Sequence, residues 1–205
     1  MRPAAHPDEW RPLTPGDGES IEPLSQQEPW TEAQYLQLTD RSRRLLEFTD
    51  GRLDILPMPT DQHQVIVRFL LLALLPRVLE LGGTVLFAPL RLRTRDGKFR
   101  EPDLLLLLDA NDPRRGNDFW TGADLVVEVV SPDDPSRDTH DKRLDYAEAG
   151  IPEYWIVNPL DETLTVLVLR GAAYVEHGVF RRGQQTDSVC LRDCSLDVAS
   201  VFDAK

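Results

Sequence analysis

Short apolar segments separated by turn-forming residues run through most of this chain, and two longer stretches carry the denser spacing of helices. "TEAQYLQL" begins with a Thr31-x-x-Gln34 capping box and predicts a short helix. In "RRLLEFTDGRLDILPMP" two apolar segments flank Asp50-Gly51, which predicts a hairpin. From Asp61 to Leu81 the pattern is helical, with Asp61-x-x-Gln64 as its start and Gly82-Gly83 as its stop. Pro76 lies inside that stretch and predicts a kink or break.

Strands dominate the rest. "GTVLFAPLRLRT" predicts one strand and "PDLLLLLD" another, nearly continuously apolar. "ADLVVEVVSPDD" has the β-branched run of a strand covered on both faces. "SRDTHDKRLDYAEAG" predicts a second substantial helix closed by Gly150, and "PEYWIVNP", "TLTVLVLR" and "AAYVEHGVF" predict further strands before a short final helix in "SLDVASVF". The pattern therefore predicts a mixed α/β class with a central β-sheet of mixed direction flanked by helices.

Residues 1–29 break this pattern, holding six of the sixteen prolines and few large apolar side chains, so an irregular arm is expected before a single domain over 30–205. Composition is that of a globular protein, 41% apolar and 28% charged. The balance of 35 acidic against 23 basic residues, a formal charge of -12, excludes broad electrostatic attraction to nucleic acid or an anionic membrane. A polyanionic substrate then requires a local basic patch or bound cations. Cys190 and Cys194 are too few for a disulfide framework or a four-ligand zinc site, and read as reduced thiols of a cytoplasmic protein. The longest apolar run, "FLLLALL", falls short of the ~20 residues of a membrane span, and no membrane partner is expected.

One position resists the apolar pattern. Glu128 stands in the middle of "LVVEVV", and an ionised carboxylate out of water needs a cation, a proton or water. Asp103 opens the preceding apolar strand. If the two strands are neighbours, both carboxylates project into one pocket, where they need a shared proton or a hard cation such as Mg²⁺. The alternative for Glu128 is an arginine across the sheet, such as Arg93. Arg91, Arg93, Arg95, Lys98 and Arg100 alternate along a strand and turn; they form either a solvated edge or, beside an acidic pocket, a surface that tracks phosphates. His63 and His140 lie near helix starts, where polar residues are expected for structural reasons. Tyr154 and Trp155 fit core packing better than stacking on a base.

Taken together, "EPDLLLLL", "ADLVVEVVSP" and "DKRLDYAEAGIPEYWIVNP" resemble the Uma-two family of restriction endonucleases, a branch of the PD-(D/E)xK nuclease superfamily. The hairpin, the helix starting near "DQHQ" and the "SLDVASVF" ending extend the resemblance from about Trp30 to Phe202. It implies a restriction-endonuclease-like core and a divalent metal, Mg²⁺ or Mn²⁺, held by Asp103, Glu128 and the carbonyl of Val129. Glu47, in an "E-x-x-D-G" pattern, would complete the acidic cluster. Position 130, where the superfamily's lysine is expected, is Val, and Lys142 matches branches in which that lysine has moved to the next helix. A helix starting near Asp138 places Lys142 on one stripe with Tyr146 and Ala149. The implied activity is hydrolysis of DNA phosphodiesters, with a homodimer as the form suited to cutting both strands. The competing expectation is a catalytically inactive module of the same fold that binds a protein or nucleic acid.

Overall fold

The computed structural model describes residues 29–205, so the expected arm, apart from Pro29, lies outside the described residues. The chain runs α1 (Glu32–Thr39), β1 (Leu46–Thr49), β2 (Arg52–Ile55), α2 (Asp61–Glu80), β3 (Thr84–Phe87), β4 (Arg91–Arg95), β5 (Lys98–Arg100) and β6 (Leu104–Leu107). It continues through β7 (Phe119–Trp120), β8 (Leu125–Val129), a π-helical turn (Arg137–Asp141), α3 (Lys142–Glu148), β9 (Glu153–Asn158), β10 (Thr163–Arg170), β11 (Ala173–Arg181) and α4 (Val198–Phe202).

Local chemistry accounts for several of these boundaries. The Thr31 capping box closes in both directions, so two of the free N–H groups at the start of α1 find acceptors. Asp50 and Gly51 both adopt positive φ, 48° and 91°, the turn that matches the twist of a two-stranded ribbon, and Thr49 pairs with Arg52 across it. The N-cap of α2 is Thr60 rather than Asp61: its hydroxyl accepts from the His63 amide at 3.2 Å. This start places His63, Ile66, Leu70, Leu74 and Val78 on the buried stripe of the helix. Pro76 does not end α2, which runs unbroken to Glu80. The carbonyl that loses its partner belongs to Leu72, on the face where Leu72 is 61% exposed and water can serve instead.

The mixed sheet is present, and a second sheet stands beside it. Six strands order as β11-β10-β9-β8-β6-β3, and five as β2-β1-β5-β4-β7. "GTVLFAPLRLRT" does not form the single strand expected: β3 pairs with β6 in the larger sheet, while β4 pairs with β5 and β7 in the smaller. Pro89 between them has no N–H to give to a ladder, which favours ending the strand there.

Within the larger sheet β8 is interior, antiparallel to β6 and parallel to β9, and all five of its residues are buried. Alternation sorts them. Leu125, Val127 and Val129 join the core beneath α2, with Leu70 and Leu74, while Val126 and Val130 join the core beneath α3, with Tyr146 and Tyr154. Glu128, in phase with Val126 and Val130, therefore points toward α3.

Candidate active site

The smaller sheet, the larger sheet and α3 meet at one place: β1 carries Glu47, Asp103 stands immediately before β6, β8 carries Glu128, and α3 begins with Lys142. Glu47 is fully buried, Glu128 is 2% exposed and Lys142 5%. The pocket, with a cavity volume of about 90 Å³, is lined by Asp103, Glu128, Lys142, His63 and Glu101 among others.

Lys142 holds the cluster together. Its ammonium lies 2.9 Å from Glu128 Oε1, 3.0 Å from Asp138 Oδ1 and 3.8 Å from Glu47 Oε1. Burial works against its charge, but the surrounding carboxylates outweigh that and raise its pKa, so Lys142 is a fixed cation at neutral pH. The π-helical turn matters to this geometry, since it carries Asp138 one turn before Lys142 and Arg137 beside Glu47. Tyr154 donates to the Asp138 carbonyl at 2.8 Å and anchors that turn on β9.

Glu128 is therefore answered by a lysine from α3 and by the Tyr146 hydroxyl, which donates to Oε1 at 2.5 Å, rather than by Arg93. Lys142 and Tyr146 do share one helix stripe, four residues apart. Burial pushes the Glu128 carboxyl up, Lys142 pulls it back, and Asp103 and Asp138 push it up again; the net direction is upward. Glu47 moves the other way. Burial opposes its charge, yet Lys142, Arg100 and Arg137 together hold its carboxyl below the usual range. Arg137 reaches Glu47 Oε2 at 2.5 Å and Arg100 at 3.6 Å.

Asp103 is fixed from two sides. Its Oδ2 accepts from the Val129 amide at 2.7 Å and lies 3.2 Å from His63 Nε2. Val129 is two residues past the last β6–β8 pair, Leu104 with Val127, so its amide and carbonyl are released from the ladder toward the pocket. Burial disfavours the His63 imidazolium, but Asp103 and the Val129 carbonyl more than compensate and raise its pKa. Glu101, also on the pocket wall, has its Oε2 buried without a hydrogen-bond partner and is pushed up to about 8, by burial and then by the charge of Glu47.

The structure thus brings Asp103, Glu128, Lys142, Glu47 and Val129 to one place. It adds Glu101 and Arg137, which carry no signal in the sequence, and gives site positions to His63, expected to be structural, to Asp138, expected only as a helix start, and to Tyr146, expected on the stripe of Lys142. The Thr60 cap, which fixes the helical phase of His63, was the available signal for one of them. The basic strand is neither a solvated edge nor a phosphate track: Arg91 pairs with Asp40, Arg93 with Glu32, Arg95 with Asp50, and Lys98 and Arg100 with Asp145. The last two pairs lock the smaller sheet to α3 and so set the distance between Glu47 and Lys142. His140 is exposed beside Asp141, Trp155 is a core residue, and both cysteines are free thiols.

Among the described residues, no three of His, Cys, Asp and Glu form a ready-made metal cage. The donor set nevertheless fits Mg²⁺, which is usually held by one or two carboxylates together with waters and substrate phosphate. Asp103 Oδ1 and Glu128 Oε2 have no hydrogen-bond partner among the described residues, while their sister oxygens are fixed by Val129, Tyr146 and Lys142.

The family model described as "Putative restriction endonuclease", Uma2, matches residues 32–199. The crystal structure of a putative nuclease belonging to DUF820 from Anabaena variabilis superposes with a TM-score of 0.71 at 20% identity, covering 85% of this chain and 98% of that one. At that identity the likeness is one of fold. No curated protein matches the chain. With four-fifths of its length matched, the chain belongs to the Uma2 family of putative restriction endonucleases.

Proposed function

We propose that the protein is an endonuclease that hydrolyses phosphodiester bonds in DNA with Mg²⁺ or Mn²⁺. The observation that carries this is the convergence of Asp103 and Glu128, each with one oxygen fixed and one free, on a lysine 2.9 Å from Glu128. Family membership supports the nuclease class, and DNA is the substrate its description suggests.

Asp103 and Glu128 would hold the cation, with the Val129 carbonyl as a third oxygen. A divalent ion bound there supplies polarisation of a phosphate oxygen and a more acidic water. The chain's own residues do the rest. Lys142, held protonated, cannot act as a base; its ammonium faces the reacting phosphate and neutralises charge that builds on the pentacoordinate phosphorus. His63 and the Val129 amide keep Asp103 from rotating, and Tyr146 does the same for Glu128, so the free oxygens are preorganised. Arg137 and Arg100 hold Glu47 ionised, and Glu47 keeps Lys142 charged from behind.

Cleavage of supercoiled plasmid in Mg²⁺ tests the proposal. Wild-type protein is expected to nick or linearise it, and Glu128→Gln and Lys142→Met to lose about 10²-fold or more. Metal binding without cleavage of supercoiled, linear or branched DNA would overturn the catalytic part. The second reading, a partner-binding module, is favoured by the internal pairing of the basic strand.

A further inference from the structure

The pocket, at about 90 Å³, is small beside the length of a nucleotide chain. A nucleotide chain must therefore lie outside it, on a surface that reaches its rim. A groove of about 560 Å³ does so, sharing Leu45 and Glu101 with the pocket. Phe87 lines the groove and its chain neighbour Ala88 lines the pocket, while the Ala88 amide donates to the Asp103 carbonyl at 3.3 Å. Groove and pocket are thus joined through the backbone next to the proposed metal ligand.

Two features set this groove apart. Arg43 and Arg44, both exposed, line it, and neither forms an ion pair with a described residue, whereas each basic residue of β4 and β5 does. Ser42 fixes their loop, its hydroxyl accepting from the Arg44 amide at 3.0 Å. Phe87, which lines the same groove, is 52% exposed, an aromatic face left in water at the end of a strand. Asp118 and buried Glu101 are the acidic residues that line the groove with the arginines.

Resting on the nuclease reading above, we propose that the Arg43–Arg44–Phe87 groove binds a single-stranded DNA segment next to the bond that is cut. The arginines take consecutive phosphates and Phe87 stacks on an unpaired base. Duplex bases already hide their faces against one another, so an exposed ring beside a pair of free cations suits a splayed strand. On a chain with net charge -12, such a local basic site offsets the general repulsion of a polyanion where no cation is bound.

Fluorescence anisotropy of labelled twenty-nucleotide oligothymidylate and a twenty-base-pair duplex, with the full chain in EDTA, reads binding without turnover. Wild type is expected to bind the single strand more tightly. Arg43→Ala/Arg44→Ala should weaken it about tenfold or more and reduce the slope of log K against log salt by about 1.4, two contacts at ~0.7 each. Phe87→Ala should weaken the single strand and leave the salt slope unchanged. All three side chains are exposed, and unchanged melting temperatures confirm intact folds. Absent binding by wild type, equal binding by the double variant, or tighter binding of duplex overturns the proposal. Binding that depends on the arginines in a protein that never cleaves DNA sustains the groove and overturns the nuclease reading, so the two failures are distinguishable.

Discussion

Lys142 Nζ and Glu128 Oε1 lie 2.9 Å apart, joining the first residue of α3 to the interior of β8. This pair resolves why a carboxylate survives in an apolar strand: its cation comes from fourteen residues further along the chain. Because Asp138 and Glu47 share the same ammonium, the lysine is the common partner of three buried acids, with Arg100 and Arg137 adding positive charge at Glu47.

Removing that cation should cost stability as well as activity. Lys142→Met leaves buried carboxylates without their partner, a change of about 3 kcal/mol or more. Thermal melting should fall by roughly 10 °C, at 2–4 °C per kcal/mol for a chain of this size. A melting temperature within two or three degrees of wild type, about 1 kcal/mol on that scale, would show that Lys142 is not the counter-ion.

Glu47 gives a pH-dependent test. Its folded carboxyl sits below its ordinary value of 4.5, so the stability it contributes is present above that value and is lost as pH falls through the folded one. Glu47→Gln should therefore lower the urea midpoint at pH 7 and approach wild type in acid below pH ~4. A gap that stays constant with pH would contradict an ionised Glu47.

Tyr146→Phe isolates one hydrogen bond. The ring stays in the core beneath α3, and only the donor to Glu128 is lost. A loss of about 1.5–3 kcal/mol is expected, as for hydrogen bonds to charged groups. Denaturant titration with an unchanged m-value would confirm that the fold is intact.

Much of this site is legible in the sequence because its key signals are local conflicts. Glu128 violates the apolar run around it, Asp103 marks a strand start, and Lys142 falls on a stripe with Tyr146. The hairpin that delivers Glu47 follows from Asp50-Gly51. Other features are set by distant partners that periodicity does not encode. Arg100 reads as part of an edge or a phosphate track and Arg137 carries no signal, yet both converge on Glu47, Arg100 from the neighbouring strand β5 and Arg137 from the π-helical turn. Asp138 looks like an ordinary polar residue near a helix start, although it stands four residues before Lys142, the spacing at which an acid and a base face each other on a helix. The division into two sheets depends on Pro89, which sits inside what reads as one continuous strand.

Asp103 and Glu128 are proposed to hold one divalent ion through the oxygens that Val129, His63 and Tyr146 leave free. Calorimetric titration of Mn²⁺ into the wild type, Asp103→Asn and Glu128→Gln tests it most directly. Saturable binding by the wild type and its loss in both variants, with folds shown intact by melting, is the predicted result; no binding by the wild type, or equal binding by Glu128→Gln, would contradict it.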